Sequence, residues 1–328
     1  MQNLFLAGAV MLSAGVLATM AAVSFWGGEG RISNAAPPAE LQKVPWNGDR
    51  AYDYLKQICD LGTRRSGSPG MAAQQKLLTR HFEQLGAKVE LQRFTAKHPL
   101  DGSKVPMGNL LVRWHPESKE RILLCTHYDT RPYPSLDPVD RKGTFLGAND
   151  GASGVALLME LGREMPARKS PLGVDFAFFD GEEFVFDTGD ESKERYFLGS
   201  ECFARQYAAG RLGCRYRWAV LLDMVGGADL ALYWENYSAS WPDTRPLVER
   251  IWATAARLGV REFVARVKHE VRDDHLMLHG IARIPACDVI DLDYAPWHTQ
   301  ADKPDQCSAT SLAKVGWVIS EWLKENDK

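Results

Sequence analysis

Three apolar runs in this chain end abruptly at acids, and that recurrence constrains the fold more than any other feature of the sequence. Ile122-Leu123-Leu124-Cys125 leads into Thr126-His127-Tyr128-Asp129, Phe176-Ala177-Phe178-Phe179 into Asp180-Gly181-Glu182-Glu183, and Val220-Leu221-Leu222 stops on Asp223. A further acid, Asp150, sits in the turn Gly147-Ala148-Asn149-Asp150-Gly151, just ahead of an apolar helical stretch. Short continuous apolar runs bounded by polar residues read as strands buried on both sides, and such strands need helices on both faces of a sheet.

The rest of the pattern agrees. Helical periodicity marks 50–61, 70–86, 152–165, 200–209, 244–258 and 309–324, and strand-like runs mark 88–94, 108–114, 121–126, 174–179, 218–225 and 284–290. Alternation of that kind predicts an α/β domain with a mostly parallel central sheet flanked by helices on both faces. In such sheets the ligand crevice lies beyond the carboxyl ends of the strands, where these acids fall.

The N-terminus stands apart. Leu4 to Trp26 contains no charged residue and is long enough to cross a bilayer. It is read as a signal peptide or an N-terminal membrane anchor over 1–26, so the product is expected to be exported: periplasmic, extracellular, or anchored facing outward. A spacer with Ala35-Ala36-Pro37-Pro38 follows over 27–40, and 41–328 is expected to be one catalytic domain. With 39 Lys+Arg against 42 Asp+Glu in 328 residues, no basic surplus points to nucleic acid. The six cysteines show no CxxC spacing, which argues against thiolate zinc; Cys125 and Cys287 lie in apolar runs that suit buried thiols as well as disulfides.

Carboxylates mixed with imidazoles at adjacent strand ends form the ligand set of a catalytic zinc site. His127, Asp150, Glu183, Asp223 and His298, the last in Trp297-His298-Thr299-Gln300-Ala301-Asp302, can converge there. Of the adjacent pair Glu182-Glu183, one member can bind metal while the other transfers protons. Each residue alone has a blander reading: Asp150 as a helix cap, a lone His as a surface or core residue, Glu-Glu as a solvated face. Repetition at successive strand ends is what outweighs those readings.

In these residues the chain resembles the zinc-dependent aminopeptidase superfamily and, within it, the glutaminyl cyclases of the animal and bacterial zinc type, over roughly Asp49 to Lys324. His127-x-Asp129, Asp150 in its Gly-rich turn, Glu182-Glu183, strand-end Asp223 and late His298 match the superfamily pattern, and Gly62-Thr63-Arg64-Arg65-Ser66-Gly67-Ser68-Pro69-Gly70 resembles its early segment. Asp273-Asp274-His275, where aminopeptidases usually carry Ser-Asp-His, and Trp297 before His298 favour the cyclase branch. The resemblance implies an aminopeptidase-like fold and a transferase that converts the N-terminal Gln of peptides or proteins to pyroglutamate, releasing ammonia. One zinc would be held by Asp150, Glu183 and His298 and polarise the side-chain amide. Glu182 would move the proton, with Asp223 and Asp273 in a carboxyl network, and Trp297 and His127 would line the substrate pocket.

Two other readings remain. In a two-zinc aminopeptidase, His127 and Asp223 would hold a second ion and Glu182 would activate water. In a non-catalytic receptor on the same fold, ligands would be expected to be lost, and none is. Two departures from the animal enzymes stand out: 184–191 lacks a Trp and is longer, and the disulfide near the active site is not expected, because Cys125 is offset and Val155 lies near the partner position.

Overall fold

A computed structural model describes residues 44–186 and 194–327. The apolar segment 1–26, the spacer 27–40 and most of the stretch after Glu183 that differs from the animal enzymes lie outside the described residues. Among the described residues, no helix is long and apolar enough to cross a membrane.

A six-stranded sheet runs in the order β1 (Lys88–Lys97), β2 (Lys104–Trp114), β4 (Gly173–Phe179), β3 (Glu120–His127), β5 (Arg215–Asp223) and β8 (Ala286–Ile290). β1 and β2 form an antiparallel hairpin, β2 joins β4 antiparallel, and β4, β3, β5 and β8 are mutually parallel. The sheet is therefore mostly parallel. Every residue of β4 is buried, and β3 is buried after its first residue, as expected where both faces are covered.

On one face lie α1 (Gly48–Cys59), α3 (Ser153–Leu161), α6 (Arg245–Leu258) and α8 (Ala309–Glu325), around a large core that includes Leu55, Phe82, Leu158, Phe176 and Trp322. α2 (Pro69–Gln84), capped by the Ser68 hydroxyl, adds Leu78 and Phe82 to that core. α4 (Leu198–Ala208) and α7 (His275–Gly280) cover the opposite face around Leu123, Phe179, Phe203 and Leu221. α5 (Asn236–Ser240) and a two-stranded ribbon, β6 (Leu232–Trp234) with β7 (Phe263–Val267), lie towards the β8 side.

Where the elements differ from the sequence expectation, the reasons are local. The helix expected over 152–165 ends at Leu161, and a 3-10 turn at Met165–Ala167 replaces its last part, because Pro166 cannot supply a helical N–H. β2 starts at Lys104 rather than Gly108, since the hairpin pairs Lys97 with Lys104 and tolerates Pro106 near its turn. β6, β7, α5 and α7 have no strong period in the sequence; each is at most six residues long. All six thiols are free.

The end of the sheet away from the acids is tied by a buried charge pair. Arg121 on β3 donates to Asp175 on β4 at 2.6 Å and to the carbonyls of Trp114, His115 and Ser118, while the Tyr216 hydroxyl donates to the other Asp175 oxygen. Breaking such a pair by removing one partner strands a buried charge. Asp175→Ala is expected to lower unfolding stability by about 3 kcal/mol, read from the urea midpoint; a loss below about 1 kcal/mol would show that the pair does not anchor these strands.

Candidate active site

The parallel strands all end on one edge of the sheet, and the acids gather there. Asp150 arrives on a turn held from three sides. Asp302 accepts the backbone N–H groups of Asn149 at 2.8 Å and Asp150 at 3.1 Å, and its first oxygen also accepts the Tyr294 hydroxyl at 2.8 Å. Arg64, fully buried, donates to the Leu146 and Gly147 carbonyls. Asn149 accepts the N–H of Gly226 at 2.8 Å, which links the turn to the end of β5. Gly151 sits at φ 91°, where a side chain would lie 2.6 Å from the Asp129 carbonyl oxygen.

The Glu-Glu pair is held in a matching way. Asp129, the acid of His-x-Asp, accepts the N–H of Glu182 on one oxygen and of Glu183 on the other, each at 3.2 Å. That pins the turn after β4 so that the two side chains separate. Glu183 Oε1 lies 2.9 Å from His298 Nε2 and accepts from the Arg131 guanidinium at 2.9 Å, while the Arg131 backbone N–H donates to Oε2. The Glu182 carboxylate instead lies 3.9 Å from His127 Nδ1.

Asp150 stands between two imidazoles: Oδ1 is 3.2 Å from His127 Nε2, and Oδ2 is 3.5 Å from His298 Nε2. His127 Nε2 also lies 3.1 Å from Asp223. Ligand atoms of His127, Asp150 and Glu183 all fall within 4.8 Å of one another, and Asp150 Oδ2 is buried without a hydrogen-bond partner. A hard-to-intermediate divalent cation suits this oxygen and nitrogen set and would satisfy that oxygen. Two of the predicted ligands, Asp150 and Glu183, thus cluster with His127, while the predicted third, His298, lies 2.9 Å from Glu183 and 3.5 Å from Asp150, and Asp223 stands beside His127.

Electrostatics separate the two glutamates. Burial works against ionisation of Glu183, yet Arg131 and His298 hold it down at about 2. Burial pushes Glu182 well above the usual carboxylate range; His127 opposes the shift, while Asp273 and Glu183 add to it. Asp150 is raised to about 6 by burial and by Glu183. Asp273 is raised well above its usual value by burial and then by Asp223, and Asp274, chiefly through burial, to about 7. Burial would lower His127, but Asp223, Asp129 and Asp150 raise it well above the usual imidazole value. Crowded acids without a metal thus hold protons, and a bound cation would displace them.

The acids open into a cavity of about 540 Å³ whose lining includes Asp150, Glu182, Asp223, Asp273, Trp297 and His298. Trp297 lies against the His298 ring, with centroids 4.0 Å apart. Two side chains at this rim hold left-handed backbone, Met224 at φ 46° and His298 at φ 55°, a strain that concentrates at functional sites. A smaller hollow of about 360 Å³ lies between α2 and the β1–β2 hairpin, lined by Met71, Leu91 and Phe94 among others. None of the site acids lines it.

The model of peptidase family M28 matches residues 109–323, which spans every acid and imidazole of this cavity. The chain belongs to peptidase family M28. Within that family it is similar to a glutaminyl-peptide cyclotransferase of Drosophila melanogaster, 27% identical over 80% of this chain and 78% of the relative. Among solved structures it is similar to the glutaminyl cyclase of Fimbriiglobus ruber, 41% identical, covering 88% of this chain and 99% of that one, with a TM-score of 0.81. It is also similar to a Zn-dependent exopeptidase of Parabacteroides distasonis, 30% identical over 85% and 98% of the two chains, TM-score 0.76.

Sequence reasoning assigned no role to Asp129, Arg131, Asp302 or Arg64 in this M28 chain. Asp129, Arg64 and Asp302 lie inside the quoted sequence motifs, but the hydrogen bonds that define their work run across the fold. Outer partners of this kind typically contribute 10- to 100-fold to metal affinity. Asp302→Ala is therefore expected to weaken zinc binding by about that factor in a chelator competition; unchanged affinity would mean that Arg64 and Asn149 suffice to hold the Asp150 turn.

The raised acids also set a pH dependence. Asp150, Asp274 and Asp302, the last raised to about 7 by burial and then by Asp150, bind protons more tightly folded than unfolded. Their stabilisation is complete below the unfolded value of about 4 and is lost as pH rises through about 6 to 7. The melting temperature of metal-free protein is expected to fall between pH 5 and 8, with zinc restoring much of the loss at pH 8. A melting temperature that rises over the same interval would contradict this account.

Proposed function

We propose that this chain is a zinc-dependent glutaminyl-peptide cyclotransferase, closing the N-terminal Gln of peptides or proteins to pyroglutamate with release of ammonia. The observation that carries the reading is the split of the glutamate pair. Glu183 lies among the ligand atoms, whereas Glu182 lies outside the Glu183–His298–Arg131 cluster, in a cavity shared with Asp223, Asp273 and Trp297. The similarity to named glutaminyl cyclases points the chemistry to cyclisation rather than hydrolysis, and the resemblance of Asp273-Asp274-His275 to the cyclase pattern agrees.

Zinc, when held by Asp150, Glu183 and His298, supplies Lewis-acid polarisation of the substrate's side-chain amide. The chain's own groups do the rest. The α-amine nitrogen attacks the side-chain amide carbon, so a nitrogen–carbon bond forms while the bond to the amide nitrogen breaks. Glu182 takes a proton from the attacking amine and returns one to the departing nitrogen, which leaves as ammonia. Because Glu182 sits well above the usual carboxylate range, its proton affinity lies nearer that of the groups it serves. Asp223 and Asp273 share this acidic wall, and Trp297 provides an apolar side for the Gln methylenes.

Segment 4–26, free of charge, supports export, by a cleaved signal or a retained anchor, so the proposed substrates are extracytoplasmic peptides or proteins.

The test is direct. Gln-initiated and Leu-initiated peptides are incubated with zinc-loaded protein, and ammonia, free amino acid and zinc per chain are measured. Ammonia from the Gln peptide with one zinc is expected; free Leu with two zinc ions would establish the aminopeptidase reading instead. Glu182→Gln is expected to cut kcat by about 10²- to 10⁴-fold while zinc content holds. Full turnover in that variant would remove Glu182 from proton transfer.

A further inference from the structure

The cavity is of the size that encloses a ligand larger than a single glutamine residue, so the residues that follow the reacting one meet its rim. The charged groups at that rim are unequal. Glu270 lines the cavity, but its two oxygens already accept from Asn236 Nδ2 at 2.8 Å and from the Tyr237 hydroxyl at 3.1 Å. Arg272, two residues on, also lines the cavity and is exposed. Among the described residues it has no carboxylate within ion-pairing distance and no hydrogen bond, whereas the nearby cations are spoken for: Arg131 by Glu183, and Lys268 by Asp293.

The Arg272 backbone is fixed on both sides. The N–H of Val271 donates to Glu235 at 3.1 Å, and Asp273 and Asp274 are buried at the start of α7. A guanidinium carried on a pinned backbone, with its valence unused, at the mouth of a site whose floor is acidic, is a recognition group for a carboxylate. The neighbouring walls, Leu136, Ile290 and Leu292, offer no competing polar group.

We propose that Arg272 selects substrates that carry an acidic side chain at the second or third position after the chain start. The proposal deepens the cyclase reading and rests on it for the chemistry of the assay. Discrimination of about two- to fivefold is the scale for one exposed ion pair.

Four peptide amides, Gln-Glu-Ala, Gln-Ala-Glu, Gln-Lys-Ala and Gln-Ala-Lys, are given to the full zinc-loaded chain. Ammonia release is measured in parallel with calorimetric binding. One of the two acidic peptides is expected to exceed its Lys counterpart by about two- to fivefold in kcat/KM, with the difference in KM rather than kcat and shrinking at high salt. Arg272→Gln is expected to bring the ratio near one, and Arg272→Glu to invert it, thermal unfolding confirming that both variants fold. A ratio near one in the unaltered protein, or the same ratio in Arg272→Gln, overturns the proposal. Should no peptide release ammonia, the cyclase reading falls, and the calorimetric ratios still decide the role of Arg272; binding of none of the four overturns both.

Discussion

Carboxyl groups crowded at one edge of a parallel sheet repel one another, and keeping them together is the constraint on which the rest of this structure depends. The architecture meets it with backbone N–H groups and a few fixed cations rather than with solvent. Asp129 takes two N–H groups, Asp302 takes two more and a hydroxyl, and Glu183 takes one along with the Arg131 guanidinium. All but the Glu182 N–H bond to Asp129, which is partly buried, are buried, the condition under which hydrogen bonds to carboxylates are strongest.

What those bonds leave over is informative. Asp150 keeps one buried oxygen with no hydrogen bond among the described residues, and Asp150, Glu182 and Asp273 are all pushed towards holding protons. Proton demand and metal demand are two expressions of the same excess of negative charge. A cation among the clustered ligand atoms of His127, Asp150 and Glu183 would relieve it. Strain at Met224 and His298 fits this picture, because a wall that aims side chains inward leaves little freedom for their backbone.

Much of this was legible in the chain. Apolar runs ending at acids predicted the parallel core and the edge on which the acids meet, because a strand buried on both faces can carry polar groups only at its ends. His127, Glu183 and Asp223 were readable for that reason, Asp150 from its Gly-rich turn ahead of a helix, and His298 from the match of its segment to the family pattern. Short elements were not: α7 has six residues, too few to show a helical period, although it positions Asp273 and Asp274. Asp302 and Arg64 were illegible as positioning groups, since each acts on backbone atoms roughly 80 to 150 positions away in the chain.

The sequence by itself determined the fold class, the edge of the sheet where chemistry sits and the residue types available there, because periodicity and strand ends are local properties. Only the tertiary structure showed how the two glutamates, which the resemblance assigns to metal and to proton transfer, are kept apart. That separation depends on Asp129 gripping both backbone N–H groups and on Arg131 and His298 closing on Glu183, contacts between segments far apart in the chain. The same holds for Arg272, ordinary in the sequence and distinctive only because the fold sets it, exposed, in the lining of an acidic cavity with no ion-pair partner among the described residues.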